Sequence, residues 1–194
     1  MAIKRSAALL GLCFATAAQG SDPPQRTAYG ALLSEGWRVQ AGYGTLEVDG
    51  ADDTGRAATI GLANGAHVTN DRGHHWDFEV GLAYTQTDDH PEGPGGETIR
   101  INQTDLYYQA RRLLGESPWF LGWHAAGTRT SIQPADGDSE RDLDITVGAI
   151  AGYRGHGRFG FQVEALATDP EPSFSDLALD YKTRQYRGSL HFRF

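Results

Sequence analysis

Residues 76–85 read Trp-Asp-Phe-Glu-Val-Gly-Leu-Ala-Tyr-Thr. Trp76, Phe78, Val80, Leu82 and Tyr84 take every second position, and Asp77, Glu79, Gly81, Ala83 and Thr85 fill the gaps. A period of two puts each set on its own face of a β-strand. One face is then bulky and aromatic, and the other carries carboxylates and small residues.

The same pattern recurs in both directions from this stretch. Trp37, Val39, Ala41 and Tyr43 oppose Arg38, Gln40, Gly42 and Gly44. Trp119, Leu121, Trp123 and Ala125 oppose Gly122, His124 and Ala126. Leu143, Ile145, Val147, Ala149, Ala151 and Tyr153 oppose Asp144, Thr146, Gly148 and Gly152. Phe159, Phe161, Val163 and Ala165 oppose Gly160, Gln162 and Glu164, and Tyr186, Gly188, Leu190, Phe192 and Phe194 oppose Arg187, Ser189, His191 and Arg193. Weaker alternation over 58–68 and 98–112 brings the total to eight strands. Leu106, Ala110, Leu113 and Leu114 also fit a helical spacing, so 106–114 has a second reading as helix.

The connections alternate in length. Asp49–Thr54, Thr87–Glu97, Pro134–Asp142 and Asp169–Asp180 are long and polar, whereas 70–73, 114–118 and 154–158 are short and built of turn residues. Fifteen acidic residues fall in the long connections, with Arg141 their one Lys or Arg, and Arg72, Arg111, Arg112, Arg154 and Arg158 cluster at the short turns. Such a meander has two chemically different ends.

Whole-chain figures fit a strand-built membrane protein better than a first glance suggests. The chain has 194 residues, 39% of them hydrophobic, with 25 glycines and a formal charge of -8. No run outside the first 20 residues approaches the ~18 apolar residues of a spanning helix, which excludes only helical crossing. The negative charge argues against nucleic acid as a partner. Residues 1–20 have the order of an export signal: Lys4 and Arg5, an apolar stretch, then Ala18-Gln19-Gly20 before Ser21. Residues 21–34, with Pro23-Pro24, read as a flexible lead-in, and 35–194 as the barrel. Cys13 follows Leu12, which does not suit a lipid-anchor signal, and it is the one cysteine.

Eight strands must close to cross a bilayer, because open edges leave backbone groups unpaired in hydrocarbon. The interior of so narrow a barrel is filled by side chains. Trp37, Trp76, Trp119 and Trp123 with their aromatic neighbours are too bulky for it, so the apolar face is expected to meet lipid. Trp37, Tyr43, Trp76, Tyr84, Trp119 and Tyr153 lie where interfacial aromatic girdles would fall. The fold class expected is an all-β, eight-stranded, antiparallel up-and-down transmembrane β-barrel. A soluble periplasmic barrel of lipocalin type, carrying a hydrophobic ligand, is the competing reading.

Tyr186, Leu190, Phe192 and Phe194 alternate along the last strand. This row resembles the assembly signal of bacterial outer-membrane barrels. With the export signal and eight strands, the chain resembles the small outer-membrane β-barrel class that includes the OmpA-type transmembrane domain and the opacity-type adhesins. The resemblance implies a Gram-negative outer-membrane location and a monomer. It implies outer-membrane lipid, lipopolysaccharide and the barrel-insertion machinery as partners, an extracellular ligand at the acidic loops, and a structural or adhesive role.

Arg38, Asp77, Glu79, Arg100, Asp144, Glu164, Arg187, His191 and Arg193 are the candidate interior charge network, since unpaired charge inside a barrel is costly. No cofactor is expected, and no metal. His74, His75 and His156 fall at short turns with His67 nearby, but adjacent strand residues face opposite ways and no zinc-like spacing is present. Some small outer-membrane barrels modify lipid A. The long connections here hold one histidine, His90, and no Ser-His-acid set assembles beside it, so an enzyme is not expected.

Overall fold

The computed structural model describes residues 36–48, 54–87, 99–134, 140–155, 158–169 and 182–194. Eight strands make up the fold: β1 Trp37–Val48, β2 Thr54–Thr69, β3 His75–Thr87, β4 Ile99–Leu113, β5 Trp119–Pro134, β6 Glu140–Tyr153, β7 Phe159–Asp169 and β8 Thr183–Arg193. Each strand pairs antiparallel with the next, and β8 pairs with β1 to close the barrel. Closure leaves no sheet edge. The stretch with two readings, 106–114, is strand up to Leu113: β4 pairs with β3 and with β5 along its length.

The alternation sorts side chains as the sequence pattern implies, apolar outward. Leu82 is 58% exposed while its strand neighbours Gly81 and Ala83 are buried. Trp37, Tyr43, Tyr84, Trp119, Trp123, Leu106 and Leu190 are likewise exposed. Near the short turns the outer face carries an almost continuous run of rings. Phe78 stacks on Tyr108 at 6.2 Å, Tyr108 packs on Trp123 at 5.2 Å, and Trp119 meets the edges of Tyr153 and Phe161 at 5.3 and 5.7 Å. Phe159 and Phe192 close the run between β7 and β8 at 5.0 Å. Tyr43, Tyr84 and Tyr186 are exposed on the same face nearer the long connections. Tyr108 and Ala110, though outward, are covered by their neighbours and buried.

Several strands run further toward the long connections than apolar alternation indicates. β5 reaches Pro134 and β6 begins at Glu140. Glu140, Asp142 and Asp169 therefore lie on strands. The other twelve loop acids, His90, His156, the export signal 1–20 and the lead-in 21–34 lie outside the described residues.

Candidate functional site: the barrel interior

The middle of the interior is organised around Glu164. It sits opposite Arg187 in the β7–β8 register, and neither side chain has any exposed surface. A carboxylate removed from water needs a cation and further donors. Arg187 Nε donates to it, as does Gln162, and Gln109 Nε2 donates at 3.2 Å. Arg187 Nη1 also reaches Thr59 Oγ1 on β2 at 3.4 Å. Gln109 Nε2 lies 2.9 Å from His124 Nδ1.

Glu79 forms the second centre. Arg38 donates to its Oε1, Arg111 Nη2 is 3.0 Å from its Oε2, and the Tyr107 hydroxyl donates to Oε1 at 3.0 Å. Arg38 also contacts His191 Nδ1. The Arg111 guanidinium lies 5.3 Å over the Phe120 ring, within cation–π range. Tyr107 fits because its surroundings are small. It packs with Ala63, Ala83 and Ala126, and a Cβ on Gly81 would come within 2.6 Å of its phenol oxygen.

Asp77 organises the mouth at the short-turn end. His67 Nδ1 lies 2.7 Å from Asp77 Oδ1, and Arg154 Nη1 lies 3.3 Å from the same oxygen. His67 Nε2 is 3.2 Å from His75 Nδ1. His74 turns the other way and meets Arg112 instead. No group of three or more His, Cys, Asp or Glu side chains among the described residues is placed to hold one metal ion.

Toward the long connections the chemistry changes twice. Hydroxyls come first: Thr146 Oγ1 lies 2.6 Å from both Thr128 and Thr168, and Thr59 lies 2.9 Å from Thr85. Thr130 donates to Asp144 at 2.8 Å, and Gln103 reaches Thr183 at 3.5 Å. Beside them Leu46, Val48, Ala57 and Ile101 form a buried apolar collar with Ile132 against it, and buried Thr183 and Thr87 stand opposite Val48 and Ala57.

Of the charged candidates, Arg38, Asp77, Glu79, Asp144, Glu164, Arg187 and His191 are buried, and Arg193 is half-buried at the short-turn mouth. Arg100 departs from the expectation. Ile101 and Gln103 take the inward positions of β4, so Arg100 lies on the outward face, opposite Gln133 of β5. At that height the outer wall carries polar residues, such as Asn102 and Thr104, and a charge is tolerated there. Asp105, Tyr107, Arg111 and Phe120 are buried interior residues outside the expected set. With Leu106 outward, the period of two along β4 places Asp105, Tyr107 and Arg111 inward.

The expected interfacial residues Trp37, Tyr43, Trp76, Tyr84, Trp119 and Tyr153 all lie on the outer face, Trp76 and Tyr153 half-buried among neighbouring rings. Tyr186, Leu190, Phe192 and Phe194 form one outward row on β8 and its end. Phe194 N–H donates to the Trp37 carbonyl at 3.0 Å and joins that row to β1.

The sequence matches the family described as outer membrane protein beta-barrel domain over residues 6–194. Neisserial surface protein A has a similar structure, with a TM-score of 0.54 at 13% identity over 81% of this chain and 97% of that one. The N-terminal barrel of Pseudomonas aeruginosa OprF has a TM-score of 0.52 at 13% identity, again over 81% of this chain and 97% of that one. At such identity the likeness is one of fold. No curated protein matches by sequence. With its closed eight-stranded wall, its outward aromatics and a family match that spans nearly the whole chain, this protein belongs to the outer membrane protein β-barrel domain family and resides in the outer membrane of a Gram-negative bacterium.

Proposed function

We propose that this chain is a monomeric, non-enzymatic outer-membrane barrel with a filled, non-conducting interior, serving membrane integrity and surface contact. The observation that carries the reading is the set of side-chain bonds across the lumen between strands that are not neighbours. Arg38 of β1 bonds Glu79 of β3, Gln109 of β4 bonds Glu164 of β7, and Gln103 of β4 bonds Thr183 of β8. A continuous water path would have to break charge-assisted bonds, which are stronger than neutral ones. The imidazoles of His124 and His191 are engaged by Gln109 and Arg38, which supports a structural role for them.

In this reading the short turns face the periplasm and the acidic connections face outward. An outward row of arginines supports that orientation and lipopolysaccharide as the outer-leaflet partner. Arg56, Arg100, Arg129, Arg141 and Arg184 all lie on the outer face toward the long connections. Arg56 stands opposite Thr45, two residues beyond Tyr43, and Arg184 two residues beyond Tyr186. Guanidinium groups just outside an interfacial tyrosine level suit lipid phosphates. The outward row Tyr186, Leu190, Phe192 and Phe194 is the surface we assign to recognition by the barrel-insertion machinery.

Planar-bilayer recording on the purified, folded protein tests the closed interior. The expected result is a flat baseline under applied voltage. A steady, large, ohmic conductance in every insertion would overturn it.

A further inference from the structure

On the outer wall near the short turns, a groove of about 460 Å³ runs between the β2–β3 turn and the β4–β5 hairpin. We propose that it binds one acidic glycerophospholipid of the periplasmic leaflet, with the phosphate on Arg112 and His74 and an acyl chain along Trp76, Leu121 and Trp123.

The polar end of the groove is held in place. The Asn70 side-chain oxygen accepts the backbone N–H groups of Arg72 at 3.1 Å and His74 at 2.9 Å, and the backbones of Asn70 and His74 bond at 3.0 Å. Gly73 makes this turn possible at φ +72°, a conformation that side chains disfavour. His74 is thereby set against Arg112, whose Nη2 lies 3.4 Å from both ring nitrogens. Arg112 stands opposite Trp76 in the register and is exposed on the outer face. Guanidinium forks bind phosphate oxygens in pairs, and an adjacent imidazole N–H adds a donor.

The rest of the groove is apolar and faces the bilayer. Leu121 and Trp123 line it and are exposed, and Phe78, Tyr108 and Trp123 build a continuous ring wall beside it. A guanidinium with an imidazole fixed beside it, at the interface above an apolar channel, is complementary to an amphiphile with one anionic head, and basic pockets at membrane surfaces bind such lipids. The choice of phospholipid rests on the orientation proposed above. With the opposite orientation the same groove would face lipopolysaccharide.

Native mass spectrometry of the full folded barrel, released from detergent, tests the site. Phosphatidylglycerol, phosphatidylcholine, lipopolysaccharide and inorganic phosphate are titrated separately, and heat-shifted gel migration checks that each variant is folded. One retained phosphatidylglycerol per barrel is expected, bound more tightly than phosphatidylcholine. Arg112→Gln should weaken it roughly tenfold, the scale of one lost charged hydrogen bond. His74→Gln should weaken it by a smaller factor and serves if Arg112→Gln does not fold. Arg158→Gln removes the same charge from an exposed position at the same end of the barrel and should leave binding unchanged. Equal losses for Arg112→Gln and Arg158→Gln would reduce the effect to general attraction and sink the site. Equal retention of phosphatidylcholine, or full displacement by phosphate alone, would also overturn it. Preferential retention of lipopolysaccharide would overturn the phospholipid assignment and the proposed orientation together, leaving the barrel itself intact.

Discussion

The two halves of the interior are built by the same strands and differ in chemistry: ion pairs fill one, while hydroxyls and an apolar cluster fill the other. β1 supplies Arg38 and Gln40 at the short-turn half and Leu46 and Val48 at the other, all inward by one parity. β4 likewise supplies Arg111 and Gln109 at one half and Ile101 at the other. Parity therefore decides which side of the wall a residue faces, and depth decides its polarity. Across the hydrocarbon the outer face must be apolar, and the polar residues go inside. Past the aromatic level the outer face can carry Arg56, Arg129 and Arg184, and the apolar residues move inward to Leu46 and Ile101. The outer face thus changes polarity along the barrel's length, and inside it buried threonines accompany the apolar collar.

If the charged half is held by ion pairs and the collar by packing, the two should respond differently to substitution. The largest effect is expected at Arg187. Arg187→Leu leaves Glu164 buried without its cation, and the loss should be about 3–5 kcal/mol. Removing both partners, as Arg187→Leu with Glu164→Leu, should recover much of that loss, because no charge is then stranded. Urea unfolding in lipid vesicles, followed by tryptophan fluorescence, measures both. A double variant as unstable as the single one would show that the interior needs the ion pair itself rather than the absence of an unpaired charge.

The collar should behave as an ordinary apolar core. Leu46 is 1% exposed, and Leu46→Ala should cost about 2–4 kcal/mol by lost transfer and cavity. No second substitution in the collar should rescue it, in contrast to the Arg187 and Glu164 pair. A cost below about 1 kcal/mol would mean that the site relaxes or admits water, and the distinction between the two halves would fail.

Much of this architecture is legible in the sequence where the strands cross hydrocarbon. Trp76–Thr85 gives its parity directly, since an apolar outer face and a polar inner face differ at every step. The signal fades where the outer face becomes polar. After Ala126 the outward positions of β5 are Gly127, Arg129 and Ser131, so nothing in hydropathy marks a strand that continues to Pro134. The same fading explains Arg100: a rule that sends charge inward holds within the bilayer and reverses above it. Arg111 is a different case. It lies beside Arg112 at a turn, and only the strand parity separates an interior ion-pair partner from a surface cation. The partners themselves are set by the register of strands far apart in sequence, such as β1 and β8, which local pattern does not encode.

The smallest effect is expected where the two chemistries meet. Thr146 on β6 lies between Thr128 of β5 and Thr168 of β7, 2.6 Å from each hydroxyl. All three are buried. Each hydroxyl can donate once, so the chain needs an outside acceptor at one end, and Asp105 stands opposite Thr128 in the β4–β5 register. Thr146→Val keeps the shape and removes both links, so the expected loss is about 1–2 kcal/mol, the sum of two neutral hydrogen bonds. Thr168→Val removes one link at the far end and should cost about half as much. The double variant should then cost little more than Thr146→Val alone, because the shared bond is already gone. Additive losses in urea unfolding would mean that the threonines act independently, and that the boundary between the two halves is set by packing alone.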